Sequence, residues 1–330
     1  MERVMVIVNP KSGMGKGARC AEEIRQIKKK VLKTAGKELD LVESVAEGEN
    51  SIQELIRRAR EENRKEVIVV GGDGAVNAAA NILCGSNISL GIIPAGVGND
   101  LSRGLLIPQS TEAALDVALF GKEIRIDLGL LDDKLAFVNV VSFGLDARII
   151  QDIPTLKEKY RLLPGEWLYL VSLLRELFRR IEYPRISVFS EDGTRPPAKK
   201  LENNTLALVI SNGPQYGKMF KIWPGASLTD GLLNVCWIAK MDKLRILQSL
   251  IKLLHGTHGS LPEVDMFATD SLLVSSLTEL TCQIDGEPYQ SKKEYKISTL
   301  PRALKVKVPR TPEVPIVQQM DFRGLFLQKH

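Results

Sequence analysis

Histidine is scarce: only His255, His258 and His330 occur in 330 residues. That excludes a histidine-rich zinc centre. Cysteine is scarce too. Cys20, Cys84, Cys236 and Cys282 lie far apart with no CxxC pair, so neither a thiolate zinc site nor a dense disulfide framework fits. Such cysteines read as buried reduced thiols and point to a cytoplasmic protein. Long apolar runs are missing. The most apolar helical stretch, residues 162–178, is interrupted by Pro164, Gly165, Glu166, Arg175 and Glu176. It falls short of the ~18–20 apolar residues that cross a bilayer. The apolar run at residues 4–8 is too short for the core of a signal peptide. Charge of one sign is not in large excess. Lys plus Arg number 45 against 40 Asp plus Glu, a net +5. That surplus permits attraction to an anionic membrane surface but is not the basic stripe of a nucleic-acid binder. The expectation is a cytoplasmic, peripherally membrane-associated protein with no nucleic-acid partner.

What is present suits two folded domains. Hydrophobic residues make up 44% and charged residues 26%, enough for a real core at a length above one ordinary domain. Over the first 125 or so residues, short apolar runs at 4–8, 39–45, 66–70 and 90–93 alternate with helical patterns at 18–32, 51–64, 75–83 and 111–119. Ser51 with Glu54 forms an N-cap signature. This alternation predicts βαβ units and a mainly parallel sheet. Near Arg125-Ile126-Asp127 the rhythm changes. Short strand-like runs follow at 135–141, 185–189, 205–210, 232–238, 272–276, 279–284, 295–297 and 304–308. Asp192-Gly193, Asn212-Gly213, Asp230-Gly231 and Asp285-Gly286 supply turn signals. That is the pattern of an antiparallel sandwich. Helical pieces are expected at 160–180 and 243–254. The tail from Pro309 reads as extended, with an apolar end at 320–327.

The candidate chemistry sits in three glycine-rich turns, each after a strand of the first half. Ligands of open α/β sheets gather at the carboxyl ends of strands. The first turn is Asn9-Pro10-Lys11-Ser12-Gly13-Met14-Gly15-Lys16-Gly17. Glycines let backbone N–H groups approach a phosphate, and Lys11 and Lys16 add positive charge. It is not a Walker A loop, because Gly17 stands where Ser or Thr is required. Gly13, Gly15 and Ala18 fit the loose dinucleotide fingerprint, with Asp40 as its acid; an ordinary strand–helix turn fits equally. The second turn is Gly71-Gly72-Asp73-Gly74. Asp73 there could bind Mg²⁺, orient an acceptor hydroxyl, or cap the following helix. The third is Pro94-Ala95-Gly96-Val97-Gly98-Asn99-Asp100. Three such turns on successive strands favour a nucleotide-phosphate site over three unrelated loops.

In order, Asn-Pro-Lys-Ser-Gly, Gly-Gly-Asp-Gly-x-x-Asn and Pro-x-Gly-x-x-Asn-Asp resemble the diacylglycerol kinase catalytic family, which includes bacterial lipid kinases and the sphingosine and ceramide kinases. The resemblance continues through Asp127, Asn139, Gly144, Asp230-Gly231 and Asp285-Gly286-Glu287, to about Arg310. It implies an ATP-binding α/β domain over 1–127, completed by a returning strand at about 303–310. It further implies an antiparallel β-sandwich lipid-substrate domain over 128–302 and a tail at 311–330. ATP would be the phosphoryl donor and Mg²⁺ the metal. Asn9, Pro10, Lys11, Ser12 and Gly13 would cradle ATP with Ser44, with Gly72, Asp73, Gly74, Ala75, Val76 and Asn77, and with Gly96, Val97 and Asp100. Glu287, Asp285 and Asp73 are the catalytic candidates. Ser227, Asp230 and the carbonyl of Leu232 match a structural Mg²⁺ site, and Asp73, Asp100 and Asp127 match acids linked to the catalytic Mg²⁺.

The resemblance has departures. Ala75 and Val97 stand where the family usually has Thr, and Ala78 where it has Glu. The expected reaction is in-line transfer of phosphate from ATP to a lipid hydroxyl, most simply that of diacylglycerol. Residues 157–180 read either as a lipid-entry helix flanked by Arg161, Arg175, Arg179 and Arg180 or as a helix packed over the sandwich. Competing functions are a kinase of a sphingoid base, ceramide, polyprenol or NAD, and a lipid- or nucleotide-binding regulator without turnover. A homodimer is left open.

Overall fold

The computed structural model describes residues 2–45, 51–160, 163, 165–179, 181–189, 204–214, 216 and 220–310. The Asp192-Gly193 turn, the tail from residue 311, and Arg161, Leu162, Pro164 and Arg180 lie outside them.

The first half is built from β1 (Glu2–Val8), α1 (Ser12–Ala35), β2 (Lys37–Glu43), α2 (Ile52–Glu61), β3 (Glu66–Gly71), α3 (Asp73–Leu83), β4 (Ser89–Pro94), α4 (Asp100–Gly104) and α5 (Thr111–Phe120). The strands pair in parallel in the order β2-β1-β3-β4. Every residue of β3 and β4 is buried. Unbroken apolar runs such as Val67–Val70 form strands of this kind because helices cover both faces. Ser51 caps α2, accepting a hydrogen bond from the Glu54 amide at 3.3 Å.

The second half holds β5 (Lys122–Leu131), β6 (Leu135–Phe137), β7 (Val140–Gly144), α6 (Leu145–Lys159), α7 (Gly165–Phe178), β8 (Ile186–Phe189), β9 (Thr205–Ser211), β10 (Leu233–Ala239), α8 (Lys243–His255), β11 (Val264–Thr269), β12 (Ser271–Ile284) and β13 (Glu287–Val308). Here the pairing is antiparallel: β11-β10-β9-β7-β12-β13, with β8 on β12 and β5 on β13. Phe137, Phe143, Leu208, Trp237 and Tyr295 are among the side chains filling this sandwich. The protein is therefore an α/β domain followed by an antiparallel β-sandwich.

Several elements depart from the sequence reading. Residues 135–141 form two strands rather than one. The break falls at Val138 and Asn139, whose amides turn away from the ladder toward the Asp285 carboxylate. Helix α6, with Pro154 inside it, has no counterpart in the sequence reading. The runs at 295–297 and 304–308 belong to one long strand, β13. Its register shifts between Leu300 and Leu304, where Arg302 takes φ 53°. Beyond that shift β13 lies parallel to β4, with Val306 opposite Leu90.

Asp127 secures this junction. It is fully buried. One carboxylate oxygen accepts the Arg302 amide at 2.6 Å and the other the Gly231 amide at 2.7 Å. Its own amide donates to the Leu228 carbonyl at 2.7 Å. Asp127→Ala removes both charged acceptors and leaves two amides unpaired. Charge-assisted hydrogen bonds are worth about 1.5–3 kcal/mol each. We expect Asp127→Ala to lower unfolding stability by about 2–4 kcal/mol in urea titrations, by the same amount with Mg²⁺ or with EDTA. A loss seen only with Mg²⁺ would instead make Asp127 a metal-linked acid.

Candidate active site

The three glycine turns touch one another. After β1 the chain runs left-handed through Gly13 (φ 54°), Met14 (φ 55°) and Gly15 (φ 89°) before the helix proper begins. A Cβ on Gly13 would lie 2.1 Å from the Ala95 carbonyl oxygen in the third turn. Glycine is needed there for both backbone angle and space. The Ser12 hydroxyl accepts the Gly72 amide at 3.3 Å, joining the first turn to the second. Gly72 and Gly96 abut so closely that a Cβ on Gly96 would sit 2.4 Å from Gly72 Cα. Lys16 extends to the Pro94 carbonyl at 2.9 Å and the Gln109 carbonyl at 3.3 Å. Its charge therefore secures the third turn, while Lys11 is exposed. Ser44, at the end of β2, donates its hydroxyl to the Val8 carbonyl at 3.0 Å.

Asp73 does not cap its own helix; Gly72 is the N-cap of α3. The Asp73 carboxylate reaches across and accepts the amides of Asn99 at 2.8 Å and Asp100 at 2.7 Å. It thereby fixes the start of α4. Asn99 closes its own turn, accepting the Gly96 amide at 2.9 Å and donating to the Gly96 carbonyl at 3.0 Å.

From the sandwich side, β12 and β13 form a two-residue hairpin at Asp285 (φ 49°) and Gly286 (φ 87°), with Ile284 opposite Glu287. Both central residues are left-handed, the geometry that Asp-Gly favours. The turn reading of this dipeptide holds. Asp285 accepts three consecutive amides: Val138, Asn139 and Val140, each at 2.8 Å. Burial pushes its carboxyl up to about 6, against those three hydrogen bonds, and the nearby Asp73 charge adds to the rise. Glu287 is the first residue of β13 and is exposed.

The two halves meet around a cavity of about 480 Å³. Asp73, Asp100 and Asp285 mark its polar part. Ile150 and Ile153 of α6, Trp167, Leu170 and Leu173 of α7, and Leu250 and Leu254 of α8 make the rest apolar. Val97 also lines it; Asp127, Ser227, Asp230 and Leu232 do not. Asp127, Asp230 and Leu232 meet elsewhere: the Leu232 amide donates to Asp230 at 3.0 Å and the Gly231 amide to Asp127.

Helix α7 packs one face against α6 and leaves the other exposed. Leu168, Leu173 and Leu177 are buried, and Ser172 and Arg175 bind α6 at Ile149 and Asp152. Its other face exposes Trp167, Leu170, Leu174 and Phe178, and α8 exposes Leu244, Leu247, Ile251 and Leu254. Sequence reasoning missed α8 as a cavity wall; its apolar spacing was the available signal. It also missed Tyr169 and Tyr216, which line the cavity, and for these no local signal existed. Among the described residues no helix is long and apolar enough to cross a membrane.

Similarity to known proteins follows the same division. Residues 3–131 match the diacylglycerol kinase catalytic domain, and residues 139–308 match the YegS C-terminal NAD kinase beta sandwich-like domain. A protein of Mycobacterium tuberculosis named diacylglycerol kinase is 30% identical over 313 residues, spanning 93% of this chain and 96% of that one. A Klebsiella pneumoniae protein named "Probable lipid kinase YegS-like" is 29% identical over 266 residues, 80% of this chain and 84% of its own length. The crystal structure of a diacylglycerol kinase from Bacillus anthracis superposes with a TM-score of 0.71 over 96% of this chain and 98% of the other. At 20% identity it attests the fold. Two interlocked domains, each matched along its length, and a near full-length relative at 30% identity place the chain in the diacylglycerol kinase family of lipid kinases, phosphotransferases with an alcohol acceptor.

Proposed function

We propose that this lipid kinase transfers the γ-phosphate of ATP to the free hydroxyl of diacylglycerol, giving phosphatidic acid and ADP. The observation that carries the reading is the cavity itself, with carboxylates at one part and apolar walls from three helices over the rest. An acylglycerol has the same polarity: one hydroxyl on two hydrocarbon chains. NAD, a charged and polar acceptor, finds no match in those walls. The interlocked glycine turns border the carboxylates and offer backbone amides to the triphosphate.

The acids also fit Mg²⁺. Among the described residues no group of three or more His, Cys, Asp or Glu side chains forms a metal cage. Mg²⁺ in phosphoryl-transfer sites needs only one or two carboxylates beside the substrate phosphates and water. Asp73 and Asp100 would hold it, and the ion would neutralise phosphate charge. Asp285 is assigned the acceptor proton. It lines the cavity, and one lone pair of Oδ2 is left after the three amide bonds. A carboxyl raised to about 6 is well placed to act as a base near neutrality. Ala75, Ala78 and Val97 leave phosphate binding to backbone amides. The exposed apolar faces of α7 and α8 border the cavity at Trp167, Leu170 and Leu254. They suit lipid entry from a membrane surface.

The test is transfer of labelled γ-phosphate to diacylglycerol in mixed micelles. Label in the lipid that depends on Mg²⁺ supports the reading, and label in NAD alone refutes it. The rate should fall as pH drops through about 6, because protonated Asp285 cannot accept the hydroxyl proton. Glu287→Gln should keep that acidic limb. Loss of the limb in Glu287→Gln would move the proton to Glu287. Gly13→Ala should raise KM for ATP tenfold or more and lower Tm, because the new methyl drives the first and third turns apart. Unchanged ATP kinetics would remove the first turn from the phosphate site.

A further inference from the structure

Tyr216 is 7% exposed and lines the cavity, yet among the described residues its hydroxyl has no hydrogen-bond partner. A buried polar group without a partner requires an explanation. The candidate partner inside the protein is the Asp146 carboxylate, whose charge acts on Tyr216. Asp146 is already served: Tyr169 donates to it at 2.8 Å and Gln283 at 3.2 Å, and Ser142 donates over a short contact. Burial raises the Asp146 carboxyl, and Tyr216, with Ser142, Tyr169 and Gln283, opposes that rise, but the Tyr216 hydroxyl makes no full hydrogen bond to it.

The chemistry of this hydroxyl is narrow. Burial holds the phenol well above its ordinary range, and the charges of Asp146, Asp100 and Asp285 and the Tyr169 hydroxyl act in the same direction. It therefore stays protonated and is available as a donor. A ligand anion would meet those three carboxylates. A ligand amine or hydroxyl would find the carboxylates first. What needs the Tyr216 hydroxyl is a neutral oxygen acceptor held on an otherwise apolar chain.

We infer that the Tyr216 hydroxyl is a hydrogen-bonding subsite for an ester carbonyl of the acylglycerol acceptor, so that the cavity selects acyl lipids over alcohols with bare hydrocarbon chains. The inference rests on the reading that the cavity takes the lipid acceptor. It goes beyond that reading by naming the feature of the lipid that is recognised and the residue that recognises it. Tyr216 acts on binding and orientation; the reacting hydroxyl remains with Asp285.

The experiment uses the full chain in detergent micelles with a diacylglycerol, its dialkylglycerol ether analogue and a polyprenol. The first two share chains and free hydroxyl and differ only in the carbonyls. Wild-type kcat/KM should be about five- to tenfold higher for the ester, the size of one neutral hydrogen bond. The polyprenol should fall at or below the ether. In Tyr216→Phe the ester–ether gap should close through loss on the ester, with Tm unchanged or raised because an unpartnered oxygen is removed. Equal losses on ester and ether, or a lower Tm, would assign the hydroxyl to Asp146 and overturn the inference. Binding is read separately through quenching of Trp167 by brominated ester and ether lipids, with Trp167→Phe defining the signal. A chain that phosphorylates no lipid but binds the ester five- to tenfold tighter, and loses that preference in Tyr216→Phe, would refute the kinase reading and keep the subsite. Equal binding of ester and ether would refute the subsite whatever the activity.

Discussion

The structure turns on a carboxylate that binds backbone. Asp285 takes three successive amides from residues 138–140 and so decides where β6 ends and β7 begins. Its own backbone is held left-handed by the hairpin. The tip of β12–β13 is thus locked to the start of the sandwich, and the same locked tip faces the glycine turns of the first domain. Asp73 repeats the device across the cavity, accepting the first amides of α4. Asp127 repeats it at the strand junction. In each case an acid that could serve a metal or a proton also closes a backbone turn. Rigid placement of charge is what phosphoryl transfer requires, since positioning and electrostatics provide most of its rate.

Removing Asp285 unpairs three amides. Glu287, two residues further on, is exposed at the start of β13. A hydrogen-bond path also runs behind the site. Tyr169 on α7 binds Asp146, Gln283 binds Asp146 and Ser142, and the Gly286 amide binds Gln283 at 2.9 Å. The helix that walls the cavity is therefore connected by side chains to the acidic hairpin.

The parallel core was legible because Val67–Val70 and residues 90–93 can only be strands buried on both faces. The glycine turns were legible because close backbone approach demands glycine at Gly13, Gly72 and Gly96. The resemblance located the acids. What could not be read were placements made at long range. The split at Val138 and Asn139 depends on Asp285, almost 150 positions away. Asp73 was open to a local capping role and instead caps a different helix. Helix α6 has no counterpart in the sequence reading; its packing against α7 outweighs the local penalty of Pro154. Tyr169 and Tyr216 belong to the cavity only because α7 and the loop after β9 fold onto α6.

The path of β13 bears on how the protein is made. Its first residue, Glu287, follows the Asp285-Gly286 turn that lines the cavity, and its last stretch lies between β4 and β5. On a ribosome, β4 emerges more than 200 residues before the strand that covers its edge. Until Leu304–Val308 arrive, β4, every residue of which is buried in the finished fold, displays unpaired amides and carbonyls along one edge, the kind of edge that recruits other chains. The nascent first domain is therefore an unfinished sheet through most of synthesis, and a nascent chain of this design has reason to depend on chaperones until its final strand is delivered.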